Sequence, residues 1–272
     1  TYLGLKELPR ELSTFELQTF FTFSPSERKV IDARYGATHK LGLALNMGFL
    51  RLSGRSLNSV RVMPASLWAH LGKELGVRPP ELASLKALYG RRSTLFEHQQ
   101  LAQETLGLRW MTDHKRRALV AALRDEVTRV SDKDKLLTFA RRWLYDHKLL
   151  IEHDRALRAQ IGAALDLLEA ETGTSITTTV PSAVLEKWRQ TLAELRPDGQ
   201  VQQSWLWEAP AKHSTVQITQ VFERICLLYS LDVHKHLGTL SDLIVRRYAR
   251  QLANRPPSVG ARIKEPRRTV EV

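Results

Sequence analysis

The chain holds one cysteine, Cys226, so neither an intrachain disulfide nor a multi-cysteine zinc or iron–sulfur centre is open to it. Its neighbours in VFERICLL are apolar, which reads as a buried, inert thiol rather than a nucleophile. Nine histidines are present. His234 and His236 stand two apart, on different faces of a helix, and His147 and His153 six apart, with no third ligand at metal spacing. No GxxxxGK(S/T) phosphate cradle, GxGxxG turn or GxSxG elbow occurs. The carboxylates form no recognisable set. On residue types and spacing the chain is not an enzyme, and no cofactor or metal is expected of it.

Cations offer a different chemistry. Arg91 and Arg92 precede Ser93 and Thr94 at the expected start of a helix, where free amides, a capping hydroxyl and two guanidiniums suit a phosphate. Arg109 follows that helix, and His114-Lys115-Arg116-Arg117 opens the next. Helix, short turn, basic helix is the layout of a helix-turn-helix reader. On this reading Glu97, His98, Gln99, Gln100 and Gln103 face outward, and His98 and Gln99 reach base edges. The alternative is a solvated helix face in a basic protein. Arg34, His39 and Lys40 surround a glycine turn, Gly36, ahead of an apolar helix, and Lys212, His213 and Ser214 form a cationic, hydroxyl-rich loop. Each is a further DNA-contact candidate or an ordinary helix start. Trp205 and Trp207 could stack on bases, but at a joint they read better as packing anchors.

The elements that would carry these groups are helical nearly throughout. Apolar residues recur at three- and four-residue spacing over 82–89, 96–106, 118–130 and 136–150. Ser24 before Pro25 caps a helix, and Gly107 ends the one containing Phe96. The β-branched runs 59–63 and 176–180 are too isolated to make a sheet. TGTSITTTVP, residues 172–181, reads as linker, and Arg196-Pro197-Asp198-Gly199 as a turn. The expectation is an all-α chain of two to three small helical modules with helix-turn-helix-like elements and short linkers. Its parts are 1–110, an N-terminal DNA-binding module; 111–171, a second module; 172–203, linker and connecting helix; and 204–272, a third.

With 41 Lys+Arg against 29 Asp+Glu the net charge is +12, and 43% of residues are hydrophobic. That composition supports a folded protein with a polyanion partner, although an acidic protein or membrane surface would be met by the same charge. No run approaches the ~20 apolar residues of a membrane span, so the expected location is soluble and cytoplasmic. Residues 241–272 carry a net +5 and close on Thr269-Val270-Glu271-Val272, which reads as a fragment of a longer chain.

The stretch RYGATHKLGLALNMGFLRLSGR, residues 34–55, resembles the N-terminal signature of replicative transposases of the bacterial Tn-three family of class II transposons. Residues 89–98, YGRRSTLFEH, are similar to that family's Arg-x-x-Thr-Arg-x-x-His step. LGLRWMT at 106–112 is similar to its Leu-Gly-Phe-Arg-x-Phe-Thr. Ser204-Trp205-Leu206-Trp207 with Pro210-Ala211-Lys212, Arg246-Arg247-Tyr248-Ala249 and Glu265-Pro266-Arg267-Arg268-Thr269 also fit. Leu95 stands where the family often has arginine, and His39 where asparagine is common. The resemblance implies a protein that binds the double-stranded terminal inverted repeats of its element, with self-association in the full-length protein. Strand cutting would belong to an absent Asp-Asp-Glu domain, the only place where Mg2+ is expected. A helical dimerisation scaffold, or a truncated regulator competing for the same ends, are the alternatives.

Overall fold

The protein is described here from a computed structural model covering residues 1–151, 153–208, 214–236, 238 and 240–253. Among the described residues fourteen helices run in order: α1 Thr14–Phe20, α2 Pro25–Asp32, α3 Ala37–Ser53, α4 Ala65–Leu75, α5 Leu82–Gly90, α6 Arg92–Thr105, α7 Asp113–Val127, α8 Lys133–Asp146, α9 Asp154–Thr179, α10 Ser182–Ala193, α11 Gln202–Trp207, α12 Thr215–Ser230, α13 Val233–His236 and α14 Asp242–Ala253. The fold is all-α; extended pairing among the described residues is confined to two isolated bridges, Arg109 with Leu149 and Leu195 with Val201. No described helix is long and apolar enough to cross a membrane. The chain divides into two compact units, Thr1–Leu119 with Leu137–Ala159, and Val120–Leu136 with the remainder from Gln160.

The first unit is built around α3. Between Lys40 and Arg51 this helix has no charged residue, and everything from Leu41 to Leu50 is buried. A helix apolar on all sides must be enclosed by others, and α1, α2, α4, α5 and α6 pack against it, α6 most extensively. Close approach is arranged by Gly48, where a β-carbon would collide with the Phe21 ring. Gly54 ends α3 in the left-handed region at φ +76° and accepts from Ile151 N–H at 2.8 Å. Helix ends are tied down by arginines. Arg28 donates to the α4 terminal carbonyls of Glu74 and Leu75, the latter at 2.6 Å, as orphan C-terminal carbonyls require. Ser24 heads α2 in a full capping box with Glu27 and with Pro25 in the first turn, as the sequence signalled.

In the second unit Ile176, Val180, Leu185, Trp188 and Leu231 form a small core, and Trp188 Nε1 donates to Leu231 O at 2.8 Å. The linker expected at 172–181 is instead helix as far as Thr179. Thr172, Thr177, Thr178 and Thr179 each return their hydroxyl to a carbonyl four residues back, at 2.7–3.0 Å. Burial of Thr172, Gly173 and Ile176 holds the segment in place, so tertiary packing outweighs the weak helix propensity of threonine. The Arg196–Gly199 turn forms as expected, Gly199 at φ +80°. Trp205 packs as an anchor, with Arg196 over its ring at 3.7 Å and Arg224 at 5.1 Å.

Cys226 corrects the expectation of a core thiol: it is exposed, and α12 buries no residue among those described. Ile218, Phe222, Ile225 and Leu228 are exposed on the same helix. VFERICLL is apolar on every turn, and an apolar sequence does not by itself say what covers it.

Candidate nucleic-acid interface

The residues expected to contact DNA in the first unit divide into three groups. The first is committed to contacts within the chain. Arg34 pairs with Glu97 at 2.5 Å, and Lys40 with Asp32 at 3.1 Å. His39 is half-buried, its ring edge-on to His98 at 5.5 Å.

The second group is turned inward, against expectation. His98 is fully buried and cannot reach a base edge in this fold. Asn46 Nδ2 donates to Tyr89 Oη at 2.8 Å, and the phenol shares a hydrogen bond of 3.0 Å with His98 Nδ1. Enclosure of the ring disfavours its charged form. Gln99 likewise points in, donating to Leu57 O at 2.7 Å. The signal was present: Leu95, His98, Ala102 and Thr105 fall at spacings of three and four, which is the stripe that α6 lays on α3. Ser93 is also displaced from its expected role. The N-cap of α6 is Arg91, whose carbonyl accepts from Thr94 at 3.1 Å, so Ser93 and half-buried Thr94 lie inside the first turn.

The third group is exposed and cationic. Arg91 and Arg92 flank the start of α6, whose first turn has no side-chain cap. Arg109 is fixed by its backbone, donating to Lys148 O at 3.0 Å and accepting from Leu150 N–H at 2.9 Å. That bridge sets Lys148, exposed and at φ +54°, beside Arg109. Lys148 was missed because the pairing joins positions far apart in sequence, for which periodicity gives no sign. Arg91, Arg92, Arg109 and Lys148 take part in no ion pair among the described residues. In the first turn of α7, Thr112 Oγ1 accepts from Lys115 N–H at 3.3 Å, Arg116 pairs with Asp113 at 2.7 Å, and Arg117 is exposed. In the second unit Ser214 caps α12, accepting from Gln217 N–H at 3.4 Å; Lys212 and His213 lie outside the described residues.

The outward face of α6 is therefore Arg92, Ser93, Phe96, Glu97 and Gln100. It differs from the expected polar face by the inclusion of Phe96, 65% exposed, and by the loss of His98, Gln99 and half-buried Gln103. Gly107, at φ +63°, ends the helix as expected, and seven residues separate α6 from α7. No three His, Cys, Asp or Glu side chains converge among the described residues.

Burial holds the His98 pKa down at about 4, with His39 and Arg34 nearby acting in the same sense. Since the unfolded ring titrates near ~6.5, the unfolded chain binds more protons between these values. Stability from neutral His98 is complete above ~6.5 and lost as pH falls through 4. Urea midpoints measured from pH 7 to 4 should fall more steeply for the native chain than for His98→Asn, carboxylates being common to both. Parallel profiles would show that His98 titrates alike in the folded and unfolded chains.

The chain matches the family described as "Domain of unknown function (DUF4158)" over residues 2–164. It is 61% identical over 272 residues to the transposase for insertion sequence element IS1071 in transposon Tn5271 of Comamonas testosteroni, covering 100% of this chain and 28% of that protein. The transposase for transposon Tn1546 of Enterococcus faecium is 22% identical over 235 residues, covering 84% of this chain and 24% of its own length. That for transposon Tn3926 of Escherichia coli is 23% identical over 236 residues, covering 80% and 22% respectively. These relatives are transposases, as the resemblance of residues 34–55 implied, and the chain spans about a quarter of their length.

Proposed function

Since the chain belongs to the DUF4158 family and its relatives are transposases, we propose that it binds the terminal inverted-repeat DNA of a transposon. Strand chemistry, and the Mg2+ it would use, are assigned to sequence outside these residues. The observation that carries this reading is the set of unpaired cations in the first unit, Arg91 and Arg92 at the head of α6 and Arg109 with Lys148 across the bridge. Guanidinium and ammonium groups free of carboxylates are available to phosphates. The amides of α6's first turn add a partial positive charge at the same place. Half-buried Lys115 and exposed Arg117 extend the cationic surface along the chain. Phosphate contacts of this kind fix position and orientation, and sequence must be read by other groups.

The test is anisotropy titration of a terminal-repeat duplex and a scrambled duplex of the same composition, across salt. A terminal preference of tenfold or more, about 1.4 kcal/mol, surviving moderate salt supports end recognition. Equal binding that vanishes with salt would reduce the net +12 to a polyelectrolyte effect.

One observation favours a second reading, in which the fragment pairs transposase subunits. Along α12 the exposed apolar residues Ile218, Val221, Ile225 and Leu228 follow three–four–three spacing, the seam of a helix that meets a second copy. Sedimentation without DNA distinguishes the readings: a tight dimer with no DNA preference would favour pairing, and a monomer with terminal preference would favour end binding.

A further inference from the structure

Resting on the end-binding reading, we infer that α6 is the base-reading helix and that Phe96 and Gln100, not His98 and Gln99, are its readers, selecting an A·T-containing step in the major groove. Arg92, Phe96 and Gln100 are spaced four apart and form one stripe along the outward face. At ~1.5 Å per residue the stripe is about 12 Å long, or three to four base pairs at ~3.4 Å each. A single helix fits the major groove. The opposite face is fixed on α3 by His98 and Ala102, both fully buried, so α6 has one face to offer.

Each side chain on the stripe has a matching group. Phe96 is a large apolar ring left 65% exposed in an otherwise polar and cationic setting, where the apolar feature of a base pair is the thymine methyl. Gln100 donates one amide hydrogen to Glu104 Oε1 at 2.9 Å. That bond orients the amide and leaves its second N–H and its carbonyl oxygen free, the pair that matches N7 and N6 of adenine. Arg92, at the N-terminal end, meets phosphate. Glu97 lies beside the stripe, but its charge is balanced by Arg34 at 2.5 Å, so it does not repel the backbone as a bare carboxylate would.

The test uses the terminal-repeat duplex with thymines replaced in blocks by deoxyuridine, or adenines by 7-deazaadenine. The native chain should lose about fourfold in affinity when the methyl of the read thymine is removed, the worth of one buried methyl group. It should lose about tenfold when the read adenine lacks N7. Phe96→Ala should bind thymine and uracil duplexes alike, and Gln100→Ala should be indifferent to 7-deazaadenine. Both positions are exposed, so melting curves should match the native chain. If terminal preference holds while the native chain ignores both replacements, or if the variants keep their discrimination, α6 is not the reader and Phe96 belongs to a protein contact. If terminal and scrambled duplexes bind alike from the start, the end-binding reading itself fails.

Discussion

Replacing Arg91, Arg92, Arg109 and Lys148 together by glutamine should lower affinity for terminal-repeat and scrambled duplexes alike. The loss should be on the order of a hundredfold or more at about 0.1 M salt. Each cation on a phosphate contributes ~0.9 to the log–log salt slope, so the slope should become shallower by up to about 3.6. Equal loss on both duplexes is the signature of backbone contact, because phosphates carry no sequence. The substitutions spare the fold. All four side chains are exposed, and the bridge between residues 109 and 149 is made by main-chain atoms, so stability should move by no more than about 0.5 kcal/mol. At Lys148, where φ is positive, glutamine replaces one unbranched side chain by a slightly shorter one and leaves the backbone strain about where it was. An unchanged salt slope would remove these four cations from the DNA contact and leave it to others, Lys115 and Arg117 among them.

Much of the local structure was legible in the residues, and the limits fall where contacts are remote. Ser24-Pro25 with Glu27 wrote a helix start, Gly107 a helix end, and Arg196–Gly199 a turn. Each rests on chemistry within a few residues. His98 stands among polar neighbours, which argue for the surface, although its spacing from Leu95 and Ala102 places it on the inward stripe. Its partner Tyr89, and Asn46 bonded to that phenol, come from two other helices, and nothing near His98 in sequence announces them. Lys148 was missed for the same reason. The threonines of 172–179 show the converse case: local preference argued for a linker, and hydroxyl back-bonding with burial overrode it. Cys226 shows that apolar sequence marks a surface to be covered without naming the cover.

Two phenylalanine-to-alanine exchanges should separate fold from interface with the same chemical deletion. Phe49 lies in α3 at 0% exposure, within the core shared with α1, α4, α5 and α6 residues such as Leu17, Leu71, Leu85 and Ala102. Removing its ring leaves a cavity that close-packed neighbours only partly fill, and such changes cost about 3–5 kcal/mol. Against a typical stability of ~5–15 kcal/mol, urea titration should show a loss of about a fifth or more of the total. Because α6 is positioned by α3, binding by Phe49→Ala should fall in proportion to the fraction unfolded and recover wherever the chain is folded. Phe96 is 65% exposed on the opposite side of α6. Its removal should leave the urea midpoint within about 0.5 kcal/mol of native while eroding preference for the terminal repeat under fully folding conditions. A Phe49→Ala chain of native stability would displace α3 from the centre of the unit. A Phe96→Ala chain that lost stability as well would mean the ring packs within the protein, and its exposure would no longer argue for contact with DNA.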